Sequence, residues 1–287
     1  MGPAVTSVLL GVAGMLGWGL YDFLGGLLSK RVGAFAPLFW SQVVGAATVL
    51  ALAGPQVAWR GLAPSAAGLC VVASILYCAG YLFFFSGFEK GEVSVVAAVM
   101  NLWAVVTMLV AFAFMGQRLT VTQTAGAAAI VVGAVLASLR PVQLRGGGRL
   151  SAGTPQSVAG AVCFGLYWNV SEVVSESIGW LATTAVVKVG VVVVLLVVGR
   201  VRGRRAGSAG SRGLWATLVL MGVVEVAAVA AVNYGLVVGD AILVTPVASA
   251  LSVVTIGLAL VVLRERISLL QAGGVLLAVL GIVTTAL

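Results

Sequence analysis

The chain contains no histidine, only eight acidic residues and only three cysteines among its 287 residues. Without histidine there are no imidazole metal ligands and no histidine-based acid–base catalysis. Cys70, Cys78 and Cys163 are scattered through apolar runs and lack a Cys-x-x-Cys spacing, so neither a disulfide framework nor a thiolate metal site is expected. No cofactor and no metal is implied. Charged residues make up 8% of the sequence, against about 25% in soluble domains, which is too little to coat a soluble surface. No cationic stretch precedes the first apolar run, so a cleaved signal peptide is not expected.

What the chain has in quantity is apolar side chains and glycine. It is 61% hydrophobic with 38 glycines and a mean hydropathy of +1.18. Lipid is the implied solvent, and small residues let helices approach closely within it. A membrane-spanning helix needs about 20 apolar residues, and ten such runs are present: roughly 4–26, 33–54, 64–88, 92–115, 119–139, 154–177, 180–201, 212–237, 240–263 and 267–287. The net charge of +8 does not point to nucleic acid. Most of the basic residues sit in short connections between spans, as membrane topology requires, and no basic amphipathic surface is left to hold phosphates.

The sequence repeats itself at an offset of about 148. Gln117-Arg118-Leu119-Thr120, followed by Gln123 and Gly126, matches Glu265-Arg266-Ile267-Ser268, followed by Gln271 and Gly274. Near the starts of the halves the offset is about 146, where Gly19-Leu20-Tyr21 matches Gly165-Leu166-Tyr167. Five spans per half force the second half to enter from the opposite side. The expected fold is therefore all-α and integral to the membrane: ten transmembrane helices in two inverted five-helix repeats, over residues 1–140 and 154–287, with a linker at 141–153. Gly126 and Gly133, like Gly274 and Gly281, line one helix face and read as close packing. The positive-inside rule favours both termini outside, because most basic loop residues fall on the face opposite the termini.

The repeated segment resembles the signature of the drug/metabolite transporter superfamily, specifically its ten-helix EamA-type members. The opening Trp18-Gly19-Leu20-Tyr21-Asp22-Phe23-Leu24-Gly25-Gly26 is similar to the start of one bacterial subgroup, and the ninth span, with Pro246 and Ser249 after Gly239-Asp240, is similar to the corresponding family helix. The resemblance implies a small-molecule carrier with a central cavity lined by the first, third, fourth and corresponding later helices. It also implies fifth and tenth helices at the periphery and both termini in the cytoplasm, against the loop charges.

Charges inside apolar spans are the leading site candidates, since a residue kept there must be paired, neutral or facing water. Glu225 lies mid-span. It reads either as a proton-coupling or cation-receiving carboxylate, or as the buried partner of Lys188, the other deep charge. Glu172 and Glu176 share a helix face; Glu172 is a cavity candidate and Glu176 a solvated helix end. Asp22 reads either as a cavity residue or as a helix-end partner of Lys30 or Arg31. Trp18, Tyr77, Tyr81 and Trp168 are candidate pocket aromatics able to hold organic cations, whereas Trp40, Trp59, Trp180 and Trp215 read as interfacial. Asn101 and Ser249 occupy equivalent positions in the repeats, and Asn233 follows Glu225 on its span.

Together these residues point to an inner-membrane secondary transporter, monomeric or homodimeric, that moves a small polar or cationic organic molecule by alternating access. Export is expected, uptake is the alternative direction, and protons are the candidate coupling ion. The rival class is a non-transporting membrane scaffold or an intramembrane enzyme. The missing histidines and the lack of an aspartyl-protease motif around Gly239-Asp240 count against the enzyme. Function is expected where the halves disagree, as at Glu225 opposite Tyr77 and Asp22 opposite Trp168.

Overall fold

The computed structural model describes residues 3–54, 64–115, 120–139, 150–203, 212–238, 248 and 250–285. These residues form eleven helices: α1 (Pro3–Val32), α2 (Phe35–Ala53), α3 (Pro64–Lys90), α4 (Val93–Met100), α5 (Leu102–Phe114), α6 (Val121–Ser138), α7 (Thr154–Ile178), α8 (Trp180–Val201), α9 (Arg212–Val238), α10 (Leu251–Val262) and α11 (Leu269–Thr285). Among the described residues there is no strand, only an isolated bridge between Leu139 and Leu150. Seven helical segments are long and apolar enough to cross a membrane, and three shorter apolar helices accompany them.

The ten expected spans are present, with two corrections. The first extends to Val32 rather than ending near residue 26. The fourth is not continuous: α4 and α5 are separated by Asn101, whose backbone N–H bonds back to the Ala98 carbonyl at 3.3 Å instead of continuing the helical ladder. The fourth span carries no proline, so the sequence gives no warning of this break. In its counterpart in the second half, residue 250 is in a turn immediately before α10.

Packing follows a pseudo-two-fold axis. Helix α1 packs on α9 as α7 packs on α3; α1 packs on α10 as α7 packs on α5; α2 packs on α9 as α8 packs on α3. Two contacts, α2 with α8 and α6 with α11, join a helix to its own counterpart. The sequence match at the α6 and α11 starts has a local cause. Thr120 Oγ1 accepts from Gln123 N (3.1 Å) while Gln123 Oε1 accepts from Thr120 N (2.9 Å). Ser268 and Gln271 repeat this, at 3.2 and 3.0 Å. The repeated hydroxyl-x-x-Gln is thus a capping box that satisfies the first N–H groups of each helix.

The two ends of the bundle differ. On the face carrying the α1–α2 and α3–α4 turns (the linker face), the halves meet closely. Glu265 accepts hydrogen bonds from the backbone N–H of Val93 (2.7 Å) and Ser94 (2.9 Å) and from Ser94 Oγ (2.7 Å), and pairs with Lys30 at 3.2 Å. A carboxylate at the start of α4 also matches the positive end of the helix dipole. Ser157 Oγ donates to the Val96 carbonyl at 2.7 Å. A side chain on Gly153, whose φ is +84°, would meet the Gly87 carbonyl at 2.4 Å, so only glycine allows this approach. On the opposite (terminal) face, α7 and α9 stand on opposite walls of a cavity, although their counterparts α1 and α3 pack together.

The α6–α11 seam is backbone against backbone. A Cβ on Gly133 would lie 2.4 Å from Ala278 N, one on Gly274 2.4 Å from Ala137 N, and one on Gly281 2.7 Å from the Gly126 carbonyl. Gly133→Leu or Gly274→Leu is therefore expected to cost about 3 kcal/mol or more through overpacking. Gly257→Ala, with nothing within 4 Å of the added methyl, should be neutral or slightly stabilising. Thermal unfolding in detergent compares them; equal melting shifts for the two classes would contradict this account of the seam.

Candidate functional site

The charged centre is built from five helices. Lys188 on α8 and Glu225 on α9 form an ion pair, and their residues are only 3% and 1% exposed. Tyr77 on α3 donates its hydroxyl to Glu225 Oε1 at 2.7 Å. The Lys188 ammonium donates to Glu225 Oε1, to Gln42 Oε1 at 3.0 Å and to Tyr77 Oη at 3.1 Å. It also lies 4.9 Å from the Tyr77 ring centroid. Gln42 Nε2 donates to Tyr21 Oη at 2.9 Å. Ser41 Oγ gives its proton to the Leu38 carbonyl (3.1 Å), so in the 3.2 Å contact between Tyr21 and Ser41 it is Tyr21 that donates.

Two features of this network set its chemistry. An ammonium has three N–H donors, and all three of Lys188's are matched by protein acceptors. Glu225, in contrast, uses one oxygen; Oε2 is buried and has no hydrogen-bond partner among the described residues. The network is also symmetric in position. Gln42 and Lys188 are counterparts at an offset of 146, and Tyr77 and Glu225 at 148, and each pair is hydrogen-bonded across the axis. Both formal charges come from the second half.

Beside the pair lies a cavity of about 470 Å³. It runs from Asp22, Ala97 and Asn101 at mid-bundle to Ser175, Trp180 and Thr183 at the α7–α8 turn, on the terminal face. Its deep wall is aromatic. Tyr81 makes edge contacts with Tyr77 (4.9 Å), Tyr21 (5.4 Å) and Phe164 (4.7 Å), and Tyr77 with Tyr167 (4.9 Å). Two more buried polar atoms in the lining, Asn101 Nδ2 and Ser252 Oγ, have no partner among the described residues.

Of the residues singled out from sequence, Trp18, Asp22, Tyr77, Tyr81, Asn101, Trp168, Glu172 and Glu225 all line this cavity. Asp22 is buried, at 6% exposure, and does not pair with Lys30, which is held by Glu265 instead. Glu225 is paired with Lys188, the alternative already open for it. Glu172 is exposed and sits at the cavity rim, and Glu176 is exposed in the last turn of α7. Trp180 lines the cavity rim rather than serving only as an interfacial anchor. Asn233 lies on α9 but its side chain, like all of Ser249, falls outside the described residues. Sequence reasoning missed Gln42, Ser41 and Ser252 as polar site groups. The offset that maps Lys188 onto position 42 would have found Gln42.

The inverted halves, the broken fourth span and an aqueous-sized cavity between repeats define a multi-pass membrane transporter. The model of the EamA-like transporter family matches residues 5–139 and again 153–287. The chain belongs to that family, whose members are transporters and not enzymes, within the drug/metabolite class. A solved crystal structure superposes with a TM-score of 0.62 at 20% identity, over 98% of this chain and 96% of the other, which supports the fold. No curated protein matches the chain.

A buried ion pair is most costly when half of it is removed. Lys188→Met alone is expected to cost about 3–5 kcal/mol at neutral pH, while Lys188→Met with Glu225→Leu should cost clearly less. A double-mutant cycle on thermal stability measures this; strictly additive effects would show that the pair is not energetically coupled.

Proposed function

We propose that this protein is a secondary transporter of organic monocations, working by alternating access between 1–140 and 154–287 as rocking units joined through 141–153. The observation that carries the cation reading is the sign of the polar atoms facing the cavity. Asp22, which pairs with no cation among the described residues, and Glu172 put carboxyls in the lining, and Glu225, also in the lining, keeps one oxygen without a hydrogen-bond partner among the described residues. The one cation among the described lining residues, Lys188, has every donor engaged. Aromatic faces from Tyr77, Tyr81, Phe164 and Trp18 suit an ammonium carried on an apolar body. A substrate carboxylate, as in an amino-acid zwitterion, finds no free ammonium or guanidinium among the described lining residues, so the polar-metabolite and amino-acid readings are the weaker ones.

All the basic residues except Arg60, Arg118 and Lys188 belong to linker-face segments, which favours a cytoplasmic linker face in the inner membrane. The cavity then opens outward, and export with proton exchange is the direction this reading supports. Two carboxyls, Asp22 and Glu225, in the lining of one cavity provide sites where a proton and a substrate cation compete.

Phenethylammonium and phenylalanine share a ring and an ammonium and differ by one carboxylate. Calorimetric titration of the purified protein should show saturable binding of the first and none of the second. Asp22→Asn should weaken phenethylammonium by about tenfold or more, the loss of one charge-assisted contact. Phenylalanine binding as tightly as the amine would overturn the cation reading.

A further inference from the structure

The symmetry of the charged centre has a consequence for the switch between access states, given the alternating-access reading above. When two inverted repeats exchange conformations, each contact in one state reappears in the other between the counterpart residues. Two contacts here map onto themselves, Gln42 with Lys188 and Tyr77 with Glu225, and are kept in both states. Two others do not. The bonds from Lys188 to Glu225 and Tyr77 become bonds from Gln42 to Tyr77 and Glu225. The bond from Gln42 to Tyr21 becomes one from Lys188 to Tyr167, because Tyr167 is the counterpart of Tyr21.

We propose that Lys188 leaves Glu225 for Tyr167 when the carrier opens to the linker face, and that Glu225 is the proton site of the cycle only in that state. With an amide in place of the ammonium, an ionised Glu225 would be a buried charge without a counter-ion, which the low-dielectric interior penalises strongly. There Glu225 gives up a proton brought from the terminal face and takes a substrate cation from the linker face in its place. On return, Lys188 re-engages the carboxylate and displaces the cation into the cavity, toward the terminal face. The empty, unprotonated carrier cannot switch cheaply, so proton and cation cross in opposite directions.

The other ionisable groups facing the pair are Tyr21 and Asp22 on α1, Tyr77 and Tyr81 on α3, and Tyr167 and Glu172 on α7; α2 contributes only Gln42 and Ser41. Asp22 has Trp168 as its counterpart and trades places with no other carboxyl.

Because switching takes up a proton at Glu225, acidification favours the state open to the linker face. A cysteine at Ser175 in the cavity, in a chain whose three native cysteines are replaced by alanine, reports this by its labelling rate with a thiol reagent added from the terminal face. Between pH 8.5 and 5.5 the rate should fall by about fivefold or more. Lys188→Gln, which leaves an amide beside Glu225 in both states, should flatten the pH response. The transposed variant Gln42→Lys with Lys188→Gln gives Glu225 its ammonium in the opposite state and should reverse the sign, so that labelling speeds up on acidification. A pH response due to Asp22 would keep its sign throughout. A transposed variant with the wild-type sign, or a flat wild-type response, overturns the exchange. If the transposed variant does not fold, Glu225→Gln serves instead: it should abolish the response, and its persistence is equally fatal. The assay uses no substrate, so loss of phenethylammonium binding with an intact pH-driven switch sinks the cation reading alone.

Discussion

The constraint on which this structure depends is that an ammonium and a carboxylate placed in the middle of an apolar bundle must neutralise each other. Lys188 and Glu225 do so on the axis between the halves, and the helices are arranged around the need to satisfy them. Helix α3 brings Tyr77 to share the carboxylate, α2 brings Gln42 to take the third ammonium donor, and α1 brings Tyr21 to hold the amide in the one orientation that presents its oxygen to Lys188. A charge in lipid or dry protein is tolerated only with such a complete shell. The shell ties five spans, α1, α2, α3, α8 and α9, into a single polar knot inside an apolar protein.

The frame was legible from the sequence because duplication writes itself as an offset, and because apolar runs of about 20 residues leave little choice of fold. The span count, the inversion and the glycine seam follow from those two patterns alone. The centre was legible in part. Glu225 and Lys188 stand out because a charge among valines is conspicuous, and Asp22, Tyr77 and Tyr81 fall on the cavity wall where the helix order places them. Gln42 was not conspicuous, since one amide in an apolar span carries no charge and breaks no pattern; only its partner across the axis gives it meaning. The break at Asn101 was hidden for a different reason. It has no glycine or proline beside it, and α4 packs against helices of both repeats, contacts that the sequence pattern does not display. The repeated hydroxyl-x-x-Gln was visible, but its meaning as a capping box required the side-chain hydrogen bonds.

The two ends of the molecule divide two tasks. At the linker face the closure is polar and directional: a carboxylate on two backbone amides and a lysine, a serine on a carbonyl, glycines that let main chains touch. Such contacts have definite geometry and can be released to water at modest net cost. At the terminal face the same helices diverge, and the space between them is filled by aromatic walls and unpartnered polar atoms. One chain thus shows both a closed and an open end of nearly the same architecture.

The seam between α6 and α11 bears on how such a protein can change over generations. It registers the halves through main-chain contact at Gly133, Gly274 and Gly281, away from the cavity. No cavity side chain takes part in it, so assembly is insulated from whatever the pocket becomes. Replacing a tyrosine or an asparagine in the wall alters what the carrier admits without loosening the joint that makes it a carrier. The seam is in that sense a fixed bearing, and the pocket beside it is free to be re-cut for a different cargo.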